Sequence, residues 1–301
     1  MNFPRNGSER RRANIKKISS RRVRSASPIT KAMTAALYKK ARTKRACILD
    51  FADRIERSGL FADKASALVA KLRRCRANFR CYSPACPTCA GVEQLLMALN
   101  VEVFVAGQEG ECSIAFVSII PPNSKVPKGS LLKFDLHNFK RRVRDGLAKT
   151  AALWAVGSVD FSLNEHQRGF YPPYWSPHVH LIVGTEDIDQ LIADLRAGFP
   201  KTKDTPRPVM VKQWDRNTDA FRYIFKPNFS RRISIDNAER FNRRTQEKRL
   251  CKATTYDRLR VSERVELALF LDKIGLGGRL SLRNVSLCKT TNSKKLELRR
   301  M

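Results

Sequence analysis

The chain has 301 residues, of which 59 are Lys or Arg and 28 are Asp or Glu, for a formal net charge of +31; apolar residues make up 42%. That apolar share can build a core, so a wholly disordered chain is excluded, and the length admits one large domain or two modest ones. The charge excludes an ordinary enzyme of small neutral metabolites and points to a polyanionic partner, nucleic acid first, and no apolar run approaches the roughly 18 residues that read as a membrane span.

Residues 1–45 hold 15 Lys/Arg and one acid, Glu9. They form a basic arm, expected to be disordered until it meets its partner. No apolar stretch of a secretory signal is present. The Arg- and Ser-rich composition also suits an organelle transit peptide, but the arm reading is preferred, and a reducing cytosol is the expected location. Residues 46–110 read as a helical and cysteine-rich module. Ile48, Phe51, Ala52 and Ile55 recur at helical spacing, Ser58-Gly59 breaks the run, and Ala65, Leu68, Val69 and Leu72 begin another. A short apolar stretch, Val92 to Leu99, follows the cysteines.

Residues 111–230 read as a segment of alternating strands and helices. A β-rich run at 112–122 is stopped by prolines; Leu132, Leu136, Phe139, Val143 and Leu147 then make a helical stripe, with Arg141 and Arg144 off it. A strand at 154–163, an aromatic loop, a strand at 178–184, a helix capped by Thr185 and a strand at 208–214 complete the pattern. Asn217 or Thr218 caps a helix ending at Pro227. Short strands, two of them consecutive, predict an α+β fold: an antiparallel sheet with helices packed on one face. Residues 231–301 read as a basic helical extension, with a last helix at 261–275 closed by Gly275.

Four of the eight cysteines cluster as Cys75-x5-Cys81-x4-Cys86-x2-Cys89. Four thiolates satisfy tetrahedral Zn²⁺, and the two-residue gap lets Cys86 and Cys89 face one ion. A structural Zn²⁺ is the preferred reading, over buried thiols, a redox pair or an iron–sulfur cluster. His178 and His180 lie two apart in a strand, so their imidazoles share a face. That suits two nitrogen ligands to one divalent ion. Leu181 and Val183 are read as continuing the His face. If the neighbouring strand pairs with this one, Asp160 supplies an oxygen ligand. Tyr223 and Lys226 are i and i+3 on one helix face, which gives a nucleophile and a cation, while Phe221 and Ile224 anchor the helix.

These segments together resemble the HUH endonucleases. A strand (Phe116 to Ile120), His-Val-His (178–180) and Tyr-x-x-Lys (223–226) follow in that family's order. The Cys86 to Ala90 segment looks like that of plasmid rolling-circle replication initiators. The resemblance covers roughly residues 75–230. It implies a ferredoxin-like or RRM-like palm that nicks one DNA strand and becomes linked to the 5′-phosphate through a tyrosine. Carried over, His178 and His180 are metal ligands for Mg²⁺ or Mn²⁺, with Asp160 as a looser match, Tyr223 is the nucleophile and Lys226 its companion. Two features depart from the family pattern: the first motif ends Val-Ser-Ile-Ile rather than in Thr, and Pro227 disfavours helical geometry at Lys226.

The expected partner is single-stranded or origin-hairpin DNA, with a host helicase or polymerase and no membrane. Tyr174 and Trp175 in the aromatic loop offer surfaces for unpaired bases, and Arg222, Arg141 and Arg144 offer phosphate contacts. A transposase or relaxase would share the chemistry. A non-catalytic zinc-containing binding protein, or an RNA-associated basic protein, would explain the charge and cysteines but leave the histidines and Tyr223 idle.

Overall fold

The computed structural model describes residues 45–76, 78–242, 247–289 and 296–301. The basic arm expected over 1–45 lies outside them except for its last residue. Helices α1 (Arg45–Arg57) and α2 (Ala62–Arg74) are the two amphipathic runs on either side of Ser58-Gly59. Cys75 caps the C-terminal end of α2, and Cys86 caps the start of α3 (Pro87–Gln108), with Pro87 in its first turn. The short apolar stretch at Val92 to Leu99 is thus part of a 22-residue helix.

Next come β1 (Ser113–Ile119), the two-residue β2 (Val126–Pro127), α4 (Leu136–Ala148), β3 (Ala152–His166), β4 (Tyr174–Thr185), α5 (Ile188–Gly198) and β5 (Val209–Gln213). Asp187, not Thr185, caps α5: its carboxylate accepts from Asp189 N and Gln190 N, whereas Thr185 ends β4 and donates to Ala151 O and Asp187 O. Helix α6 (Asp219–Ile224) stops short of Pro227. The rest is β6 (Ser230–Asn242), β7 (Glu247–Arg258), α7 (Val261–Ile274), β8 (Leu280–Arg283), β9 (Val285–Lys289) and β10 (Leu296–Arg300).

The fold is α+β, but the sheet is mixed rather than antiparallel throughout. Its order is β5-β1-β4-β3-β6-β7, with β2 on β4 and β8 on β3. Among the described strands only β6 runs parallel to a neighbour, pairing Arg231–Ser234 with Leu163–His166 of β3, because the chain returns through α6 to the free edge of β3 before extending. β8 takes the same edge at Ala155–Ser158. The helical extension expected over 231–301 is mostly strands, with α7 its one described helix, and the boundary at 230 falls inside β6. β9 and β10 form a separate pair.

Helices also cover both faces, not one. Helices α1, α2, α4, α5 and α7 share a buried cluster with Val117, Val159, Phe161, Leu181 and Val183. Helices α3 and α6 cover the other face at Trp154, Val156 and Ile182. With a side-chain period of two, Ile182 therefore continues the His178 and His180 face, and Leu181 and Val183 point away from it. Helix α3 is long and apolar enough to cross a bilayer, contrary to the expectation from composition, yet half of that window is buried inside the protein. Its low amphipathicity reflects a helix wrapped by Phe104–Trp154 edge contact and the strands beneath.

One buried carboxylate holds two of these layers. Glu266 of α7, 2% exposed, accepts from Gly129 N at 3.0 Å, Leu131 N at 2.7 Å and Trp175 Nε1 at 3.0 Å. Glu266→Leu strands two buried donors, Leu131 N and Trp175 Nε1, each costing about 1–3 kcal/mol, and frees Gly129 N at an exposed residue. The expected result is a fall in unfolding free energy of about 3 kcal/mol or more, read from the urea midpoint.

Candidate functional site

The β3–β4 register builds the site. Asp160 pairs with His178 and Ser158 with His180, and directly opposed residues share a face. Asp160 Oδ2 lies 3.4 Å from His178 Nε2 and 3.8 Å from His180 Nε2. The three ligand atoms all fall within 4.8 Å of one another. Metal bonds of about 2.1 Å place neighbouring ligand atoms about 3.0–3.5 Å apart, so the set closes on an ion with side-chain shifts on the order of an ångström.

The backbone and β1 hold the two rings by their Nδ1 atoms and turn both Nε2 atoms toward Asp160. His178 Nδ1 lies 3.0 Å from Ser176 O. His180 Nδ1 lies 2.7 Å from Ser118 Oγ on β1. Its buried Nε2 has no hydrogen-bond partner among the described residues. Such an orphaned acceptor, held by a second contact at the other ring nitrogen, fits a metal ligand. Burial and the neighbouring His178 charge lower the His180 pKa to about 3, so it is the neutral imidazole that faces the site. Burial alone would raise Asp160, but the hydrogen bond to His178 and the charges of His178 and Lys226 hold its carboxyl well below the usual range.

Tyr223 and Lys226 stand at the rim. Lys226 lies beyond the end of α6, as Pro227 requires, yet its N donates to Tyr223 O at 3.2 Å in the closing turn. Its ammonium therefore still reaches Tyr223 OH at 3.4 Å and Asp160 Oδ2 at 2.9 Å. Burial works against the Lys226 charge, but Asp160 raises its pKa above the ordinary value. The Tyr223 ring is 5.1 Å from the His180 ring, and Tyr223 is 47% exposed. Phe221 and Ile224 are buried on the sheet and anchor α6, while Ser158 Oγ donates to Ile224 O at 2.6 Å. Buried Arg279 supports the turn from beneath, donating to Lys226 O at 3.2 Å.

Sequence reasoning passed over Ser118, Ser158 and Arg279. Ser118 had a signal, since it is the Ser of Val-Ser-Ile-Ile and lies opposite His180 in the β1–β4 register. Ser158 and Arg279 had none, because both act through backbone carbonyls of a turn distant in sequence.

The four cysteines form a second centre. Cys75 Sγ lies 3.7 Å from Cys89 Sγ and from Cys86 Sγ, and Cys81 Sγ lies 3.7 Å from Cys89 Sγ. Four thiolates bound tetrahedrally at about 2.3 Å lie about 3.8 Å apart, so the residues fit a structural zinc. No disulfide joins them. Hydrogen bonds from Cys81 and Cys86 lower the Cys89 pKa, and hydrogen bonding to Cys81 and Cys89 raises that of Cys86. The cluster thus supports thiolate character at the first turn of α3, where the helix dipole adds to it.

The expected DNA contacts separate. Arg222, exposed at the end of α6, and Tyr174, half-buried on β4, lie on the His178 side of the sheet. Trp175 is 0% exposed and its indole is bound by Glu266, so it offers no stacking surface: alternate residues of β4 face opposite layers. Arg141 and Arg144 are exposed on α4, which packs on the other face, away from the two histidines.

A mostly apolar pocket of about 380 Å³ lies behind the Phe225–Lys226 turn, touching Ser158 and Arg279. Asp160, His178 and His180 do not line it. In comparisons with protein-family models, curated proteins and solved structures, nothing matches this chain.

Proposed function

We propose that this chain is a metal-dependent, site-specific nicking and joining enzyme for single-stranded DNA, of the HUH type, acting at the start of rolling-circle replication of a plasmid or phage in a bacterial cytosol or nucleoid. The observation that carries the reading is the continuous contact from Tyr223 OH through Lys226 to Asp160, beside two imidazoles whose Nε2 atoms face the same carboxylate oxygen. The sequence β1-α4-β3-β4-α5-β5, with strands ordered β5-β1-β4-β3, supports a ferredoxin-like palm. A net charge of +31 supports a nucleic-acid substrate.

Asp160, His178 and His180 would hold Mg²⁺ or Mn²⁺, which when bound supplies charge to a non-bridging oxygen of the scissile phosphate. The Tyr223 oxygen attacks phosphorus, the bond to the 3′-oxygen breaks, and the phosphate remains on the tyrosine. The phenol loses its proton to solvent and the 3′-oxygen takes one, so the step is a proton-neutral transesterification that conserves the phosphodiester for rejoining. Lys226 offsets negative charge as it develops on the phenol and the phosphate. Serine hydrogen bonding at His180 and the Ser176 carbonyl at His178 fix both rings.

The test is incubation with single-stranded DNA carrying a candidate origin and Mn²⁺ or Mg²⁺, resolved on a denaturing gel. A covalent adduct is expected, absent in both Tyr223→Phe and His178→Ala. An adduct that survives Tyr223→Phe moves the nucleophile elsewhere. DNA binding with no adduct on any cognate strand overturns the enzyme and leaves a zinc-containing binding protein.

A further inference from the structure

The same sheet face changes character at the metal row. On one side of that row α3 and α6 cover Trp154, Val156 and Ile182 with apolar packing. On the other side the face is polar, and the loop between β3 and β4 packs on its far end, where Tyr171 lies 5.7 Å from the Tyr174 ring and 3.0 Å from Ser234 Oγ. Reading the register outward, Asp160 and His178 are followed by Ser162 opposite Ser176, and then by Asn164 opposite Tyr174. Asn164 also pairs with Arg232 on β6, and Arg232 with Tyr256 on β7. Tyr174, Asn164, Arg232 and Tyr256 therefore form one row across four adjacent strands. The row spans about 14 Å at the usual strand spacing and lies about 13 Å along β3 from Asp160.

We propose that this row is a platform for the single-stranded DNA flanking the scissile phosphate, which rests on the strand-transfer reading above. Tyr256 is 63% exposed, and the Arg232 guanidinium lies 5.8 Å from its ring. The Lys125 ammonium lies 4.7 Å from the Tyr174 ring and pairs with Asp204. Each aromatic thus comes with a cation, the combination that stacks bases and holds backbone phosphates without reading sequence. Arg232 Nε is buried and has no hydrogen-bond partner among the described residues. The nearby carboxylates of Glu165 and Asp257 lie on the opposite side of their strands and are tied to Arg231. Ser162 and Ser176, between the row and the metal residues, are small enough to leave a shallow floor between the two. A paired duplex offers no free base faces to the tyrosines, so the row selects unpaired strands.

The experiment is fluorescence anisotropy of the full chain with a labelled oligothymidylate of about 16 nucleotides, with adduct formation on origin DNA assayed in parallel. Tyr256→Ala is expected to weaken binding about 5- to 100-fold, the range of one lost base–aromatic stack. Tyr256→Phe should keep wild-type affinity, because the ring and not the hydroxyl stacks. Arg232→Ala should weaken binding and reduce the slope of log affinity against log salt by about 0.7. Unchanged affinity in both alanine variants, equal loss in Tyr256→Phe, or equal competition by duplex DNA or by oligouridylate overturns the platform. The two readings fail separately. Oligothymidylate binding that depends on the row, with no adduct in the wild type, removes the strand transfer and keeps the platform; adduct formation with unaltered binding in the variants removes the platform alone.

Discussion

Asp160→Asn is expected to reduce adduct formation about a thousandfold or more and to weaken Mn²⁺ binding by about 10- to 100-fold. The substitution keeps the shape and one carbonyl oxygen but removes the charge that three groups use. Asp160 Oδ2 faces both imidazoles and receives the Lys226 ammonium at 2.9 Å. Without the carboxylate, a cation loses its only anionic ligand in the set, and Lys226 loses the partner that raises its pKa. Its side chain is 26% exposed, so water relieves part of the cost and the stability loss stays near about 2 kcal/mol. Isothermal titration with Mn²⁺ and the adduct gel separate the two effects, and the zinc content of the protein should not move. Wild-type nicking by D160N would remove Asp160 from the chemistry and leave it a counter-ion for Lys226.

The site was legible where it depends on strand parity. His-x-His in a strand places two imidazoles on one face, and an acid in the preceding strand can oppose them if the hairpin pairs. The Asp160–His178 register is that arrangement. The assignment of Leu181 and Val183 to the His face failed on the same rule: odd and even positions alternate, and only Ile182 follows the histidines. Ser118 was visible as part of the first motif, but its contact with His180 was not, because its strand is far away in sequence and joins β4 only through the tertiary register. Trp175 was placed among DNA contacts by composition, since an aromatic loop does not reveal which rings face the core.

The fold was legible where one side of an element is buried. β1, β3, β4, β5, α4 and α5 carry apolar residues at period two or near 3.6, and all lie close to their expected positions. The described side chains of β6 and β7, at 231–236 and 251–258, present no buried apolar face. Their ribbon leaves the sheet after four residues of pairing with β3, so charge rather than apolar alternation dominates its sequence, and it was read as a helical extension. Helix α3 was shortened for the opposite reason. Packed against the sheet and tied to α6 by Gln94, it lacks a polar stripe long enough to show a helical period.

Cys89→Ser is expected to release the metal of the cysteine cluster and to lower the melting temperature by about 10 °C or more. Structural zinc contributes binding free energies on the order of 10 kcal/mol to folding. At about 2 °C per kcal/mol, the lower end of the range for chains of 150–250 residues, half of that still gives such a shift in this longer chain. The effect should spread beyond the cysteines. Cys75, Cys86 and Cys89 belong to the same buried cluster as Val117, Val159 and Leu181, and Cys89 also lines the pocket beneath the Lys226 turn. Metal analysis of the wild type should give one equivalent of zinc, lost in Cys89→Ser and on prolonged chelation, with the same fall in melting temperature in both cases. Cys47→Ser, at an exposed position outside the cluster, is the control and should change neither. A wild-type protein that carries no zinc and melts like the Cys89→Ser variant would leave four packed thiols at 3.7 Å contacts. The link between the cluster and the Lys226 turn would then rest on packing alone, because no ion would remain to fix the start of α3 against the end of α2.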